Sequence, residues 1–60
     1  MTGKELVHLL VANGYVIDRI NGSHYILEKV GCLALTIPVH AKKDLPPGLL
    51  HSILKRANLK

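Results

Sequence analysis

Leu6, Leu9 and Leu10 recur at spacings of three and four, with Val7 widening the same face, and this predicts an amphipathic helix. Asn13 continues the i+7 position of that stripe. Thr2 and Glu5 stand three apart just ahead of it, the spacing of a capping box. Asn13-Gly14 ends the helix, because both residues tolerate the left-handed conformation. His8 falls off the stripe and is expected to face solvent.

The pattern then changes. Tyr15 to Ile20 reads as a strand, with an aromatic and β-branched residues. Asn21-Gly22 is a hairpin turn signal. A second strand is expected over His24 to Lys29, a turn at Val30-Gly31, and a third strand over Cys32 to Val39. Leu33, Leu35 and Ile37 alternate onto one face of the third strand. Pro38 places the end of that strand at a sheet edge or beyond the paired region. In the second strand Tyr25, Ile26 and Leu27 are all apolar, so period alone leaves open which face His24 takes.

Ala41 to Leu45 is a basic loop carrying Lys42 and Lys43. Asp44 is the expected cap of a second helix, with Pro46 and Pro47 in its first turn. Leu50, Ile53, Leu54 and Ala57 give its apolar stripe, Lys55 and Arg56 favour its C-terminal dipole, and Asn58 is the expected C-cap. The order α-β-β-β-α predicts an α+β fold, with a three-stranded antiparallel sheet and two helices on one face. Residues 1–60 are read as a single domain without repeats or linkers.

Composition narrows the chemistry. Sixty residues lie near the lower limit for folding without staples, and a core this small supplies roughly 3–5 kcal/mol of net stability. Apolar residues make up 48%, enough to form one. The net charge of +4 favours an anionic partner. Cys32 is the single cysteine, so an internal disulfide is excluded, and it is expected to pack as a small hydrophobe. The cysteine usage fits a reducing cytoplasm. No apolar run is long enough to span a membrane, and the charged start Lys4-Glu5 does not read as a secretory leader.

Two histidines carry the candidate chemistry. Gly22-Ser23-His24-Tyr25 delivers an imidazole from a turn onto the start of a strand. Backbone amides of the Asn21-Gly22-Ser23 turn can form an anion-binding concavity beside it. Thr36-Ile37-Pro38-Val39-His40 delivers a second imidazole, close in sequence to Lys42 and Lys43. An imidazole titrates near neutrality and moves protons, so the pair points to proton transfer on a phosphodiester, with RNA cleavage as the leading reading. The other reading of His24 is a surface residue that stiffens its turn. Histidines 8, 24, 40 and 51 lack zinc-ligand spacing, and the four acidic residues form no local cluster for magnesium, so no metal or other cofactor is expected. Phosphate-binding glycine loops and nucleophile elbows are absent. Two tyrosines are too few for a base-stacking platform, so nucleic-acid binding would rest on backbone charge and shape.

Lys4-Glu5-Leu6, Gly14-Tyr15, Gly22-Ser23-His24-Tyr25, Thr36-Ile37-Pro38-Val39-His40 and Ser52-Ile53-Leu54-Lys55 occur in the order and spacing of HicA-type toxins, and the chain resembles that family over nearly its whole length. The resemblance implies a fold like a double-stranded RNA-binding domain. It implies a metal-independent mRNA interferase of a type II toxin–antitoxin pair, neutralised by a HicB-type antitoxin, with the catalytic histidine at His24. It departs from the family at Ile20-Asn21, where Lys or Gln is frequent, at Ala41 in place of Gly, and at Gly48-Leu49-Leu50-His51 in place of Gly-Thr-Leu-Arg. The expected site is thus His24 with His40 as a possible second proton-transfer group, and Gly22, Ser23, Lys42 and Lys43 on RNA. A non-catalytic RNA-binding module and a basic protein-interaction domain are the alternatives.

Overall fold

Each helix is bounded by backbone chemistry that its sequence supplies. A computed structural model describes residues 1–40 and 43–59. Helix α1 runs over Gly3–Ala12. Its capping box forms: the Glu5 amide donates to Thr2 Oγ1 at 3.2 Å, and the Thr2 amide donates to Glu5 Oε1 at 2.8 Å. These bonds, the backbone one first, hold the Glu5 carboxyl below its ordinary value. At the other end the Tyr15 amide donates to Leu10 O at 3.0 Å and the Gly14 amide to Val11 O at 3.2 Å. That pair is a Schellman motif, and Gly14 takes the positive φ of 97° it requires.

Helix α2 runs over Pro47–Arg56 and closes the same way. The Leu59 amide donates to Leu54 O at 2.8 Å and the Asn58 amide to Lys55 O at 3.1 Å. Asn58 is left-handed, with φ 61°, one position beyond the C-cap Ala57, so it serves the helix end from the neighbouring position to the one expected. The expected cap at Asp44 does not form. Pro46 is the N-cap and offers no side-chain acceptor. Asp44 instead makes an isolated antiparallel bridge with Thr2, and the Leu45 amide donates to Met1 O at 2.9 Å. The segment ahead of α2 is thereby tied to the start of α1.

The sheet has the order β1-β2-β3, with β1 over Val16–Asn21, β2 over His24–Glu28 and β3 over Leu35–Pro38. Both pairings are antiparallel. The β1–β2 register skips Asp18, between Ile17↔Leu27 and Arg19↔Ile26, which marks a bulge on the outer strand. β3 is the other edge strand and Pro38 is its last residue, where a missing amide costs no ladder bond.

The core lies on one sheet face. Leu6, Val7 and Leu10 of α1 and Ile53 of α2 pack with Leu27, Leu35 and Ile37. Leu27 pairs with Leu35 and Tyr25 with Ile37, so these four share the helix side, and both helices cover that side. β1 overhangs the helices and is exposed throughout. Its anchor is Tyr15, just before the strand and 2% exposed. Burial, with the neighbouring Cys32 adding to it, raises the Tyr15 hydroxyl above its ordinary value, and among the described residues that hydroxyl has no hydrogen-bond partner.

Three expectations fail between β2 and β3. The third strand begins at Leu35, not Cys32. Leu33 does not join the core face and is 83% exposed. Cys32 is exposed rather than packed. The cause is a turn: the Cys32 amide donates back to Lys29 O at 2.9 Å, and the ladder between the strands stops at Leu27↔Leu35. Asn13 likewise caps α1 from an exposed position and takes no part in its buried stripe. Among the described residues no helix is long and apolar enough to cross a membrane.

Candidate functional site

Among the described residues nothing covers the sheet face opposite the helices, and His24 stands on it. Alternation along β2 puts Tyr25 and Leu27 inward, so His24, Ile26 and Glu28 point outward. His24 pairs across the hairpin with Asn21 and across the other ladder with Pro38. It is exposed. Among the described residues its ring makes no hydrogen bond, so it does not stiffen its turn through one.

The turn that presents it is a two-residue loop of Gly22 and Ser23. Only Gly22 of the pair has positive φ, at 62°, the pattern of a type II′ turn with glycine first. The loop centre therefore lies one residue later than Asn21-Gly22. A Cβ at Gly22 would meet nothing within 4 Å, so the residue is required by its conformation and the turn stays open to solvent.

β3 delivers the second histidine to the same end of the sheet. The Val39 amide donates to Ser23 O at 2.7 Å, which fastens the segment after β3 to the turn. His40 follows directly and is exposed. The Lys43 amide donates to His40 O at 2.8 Å, so a lysine is held beside that histidine by the backbone. Lys42 lies outside the described residues. Asp44 is next to Lys43 and faces the Met1 amino group at 3.6 Å, which offsets its charge. His24, Gly22, Ser23, His40 and Lys43 thus gather at one end of the sheet. His8 and His51 are on the helices and exposed.

This end is also where α1 begins. Gly3 packs so tightly under β3 that a Cβ there would overlap the Pro38 carbonyl oxygen and lie 3.1 Å from Val39 Cα. That contact brings the start of α1, with Lys4 next in sequence, against the strand that pairs with His24. The gathering of these residues follows from a hairpin, a meander and one close helix–strand approach.

The sequence model of the family described as HicA toxin of bacterial toxin-antitoxin matches residues 3–59. The chain belongs to the HicA toxin family. A comparison with curated proteins gave no match.

The structure places one further exposed residue beside His24 that the expected site did not include. Asn21, exposed, stands opposite His24 in the β1–β2 ladder. Asn21 could have been found from the hairpin, since residues flanking a two-residue loop always pair. Among the described residues, no three of His, Cys, Asp and Glu converge as a metal site would need.

Proposed function

We propose that this toxin is an endoribonuclease that cuts mRNA in the cytoplasm with His24 as general base. His24 takes the proton of a ribose 2′-hydroxyl. The 2′-oxygen attacks the adjacent phosphorus, the bond from phosphorus to the 5′-oxygen breaks, and a 2′,3′-cyclic phosphate remains. The departing 5′-oxygen takes up a proton, and His40 is the proposed donor. Amides of the Gly22-Ser23 turn and the ammonium groups of Lys42 and Lys43 stabilise the charge on the phosphate. The step needs no metal ion. The observation that supports this reading most is the exposed, unbonded His24 ring beside an open turn and the Pro38-Val39-His40 segment.

A HicB-type antitoxin is the proposed partner. The bare sheet face is one surface by which RNA and antitoxin would both engage the toxin, so covering it would silence the enzyme. Complementary acidic groups opposite Lys43 would raise the association rate and make it salt-sensitive.

The test is His24→Ala with RNA and EDTA present. A general base typically contributes about 10²–10⁴-fold, so cleavage should fall by that factor. The fold should be unchanged by circular dichroism, because the ring is exposed and unbonded. Cleavage at the parental rate would remove His24 from the mechanism. RNA binding without cleavage by the parent would replace the enzyme reading with an RNA-binding module.

A further inference from the structure

The bulge in β1 decides which side of the sheet receives an arginine. Residues paired across two strands share a face. Ile17 pairs with Leu27 on the helix side. Continued from that pair without an extra residue, the register would set Arg19 against Tyr25, also on the helix side. The bulge shifts it by one, so Arg19 pairs with Ile26 and Asn21 with His24. Ile26 and His24 are successive outward residues of β2. Arg19 therefore stands on the open face, one row along the sheet from His24, and is exposed.

The three strands hold one permanent cation, and it is Arg19. Its side chain is 71% exposed, and its one partner among the described residues is the adjacent Asp18 carboxylate, 3.3 Å from Nε. An exposed pair of this kind contributes little to stability. The terminal guanidinium nitrogens, half of the fork that grips a phosphate, have no partner among the described residues. Diagonal neighbours on a sheet face lie roughly 7–8 Å apart, within reach of a long side chain. That offset suits the step between adjacent phosphates of an extended RNA strand. The next row holds Val16 and Glu28, and a carboxylate there repels phosphate, so the track ends at Arg19. We propose that Arg19 binds the phosphate next to the one cut at His24 and so lays the RNA along β2. The position of the cut rests on the nuclease reading above; the phosphate contact is read separately, by binding.

The test gives the whole chain a short single-stranded RNA in two forms. One has ordinary riboses; the other has 2′-O-methyl riboses, which lack the nucleophile and cannot be cut. Arg19→Ala should weaken binding of the methylated RNA about tenfold at low salt. It should also reduce the slope of log affinity against log salt by about 0.7, the value of one phosphate contact on a single strand. On the ordinary RNA it should raise KM by a similar factor and leave kcat within about twofold, since the contact is with a phosphate that does not react. Arg19→Lys should recover the salt slope and part of the affinity, because the charge stays and the fork is lost. Asp18→Ala removes the same ion pair and should not weaken binding. Arg19→Gln replaces Arg19→Ala should the latter fail to fold by circular dichroism. Unchanged affinity and salt slope in the Arg19 variant overturn the proposal, and so does an equal loss in Asp18→Ala, which would make the pair structural. Methylated RNA held through Arg19, with ordinary RNA bound but never cut, upholds the phosphate contact and overturns the nuclease reading alone. A parent that binds neither RNA overturns both.

Discussion

Substituting alanine for glycine in a helix removes a flexible residue from the unfolded chain and ordinarily gains about 0.5–1 kcal/mol. Gly3 and Gly48 offer the same change in the first turns of α1 and α2, with opposite surroundings. At Gly48 an added Cβ meets nothing within 4 Å, so Gly48→Ala should gain up to about 1 kcal/mol. At Gly3 the added Cβ overlaps the Pro38 carbonyl oxygen, and Val39 Cα is 3.1 Å away. Both are backbone atoms of the strand end, so no side chain can swing aside. Overpacking of this kind typically costs about 1–3 kcal/mol, which exceeds the propensity gain. Gly3→Ala should therefore lose about 1–2 kcal/mol net, worth several degrees at ~4–8 °C per kcal/mol for a domain of this size. Neither glycine has positive φ, so the difference measures space and not backbone conformation. Thermal and urea melts of the two variants beside the parent decide the matter. If Gly3→Ala melts at or above the parent, the close approach of α1 to β3 is wrong.

Other expectations follow from single groups. Tyr15→Phe removes a buried hydroxyl that has no partner among the described residues, so urea stability at neutral pH should hold or rise by up to about 1 kcal/mol. The raised hydroxyl makes the parent insensitive to this group below its ordinary value of 10.0 and less stable as pH rises above it, so alkaline melts of Tyr15→Phe should lose less than the parent's. Thr2→Ala should cost about 1 kcal/mol through the lost N-cap, read by thermal melting. Because the Glu5 carboxyl is lowered, its contribution is present above its ordinary value of 4.5 and fades as pH falls through the folded value; Thr2→Ala should show a smaller acid-side loss. Asn58→Gly relieves the left-handed position at the end of α2 and should raise the melting temperature by a few degrees.

What the sequence made legible is what local chemistry decides. The Thr2–Glu5 box, the Asn13-Gly14 stop and the Gly22 turn each depend on residues within a few positions of one another, and the structure contains all three. The face of His24 was not decidable locally, because Tyr25, Ile26 and Leu27 offer two apolar faces to the helices. The choice is made by partners: Leu27 opposite Leu35 and Tyr25 opposite Ile37 complete an inward apolar layer, and His24 is sent outward by alternation. The 32–34 segment misled for the reverse reason. Its apolar residues favour a strand on composition, yet the Lys29–Cys32 turn turns them away from the ladder and leaves them in solvent. Asp44 had the right chemistry for a cap but is claimed by the backbone of Thr2.

The shallow setting of His24 limits how selective the proposed nuclease is. Two short helices cover one face of a three-stranded sheet, and among the described residues nothing covers the other. His24 sits on that open face, and neither the cleft at the 30–34 loop nor the one between His51 and Leu59 includes it. Enzymes that read a base by flipping it need a fitted pocket with groups aimed at its Watson–Crick edge. With two imidazoles at an open sheet end, and Asn21 and Pro38 as the cross-strand partners of His24, the proposed nuclease would hold phosphate and ribose rather than a base. Cleavage should therefore follow single-stranded, flexible positions with weak preference for sequence. Mapping the cut sites on a long transcript, folded and then unfolded by heat, tests this. Cuts spread over many dinucleotides and redistributed on unfolding are expected. A strict sequence motif retained in both states would show that base recognition comes from elsewhere on the toxin.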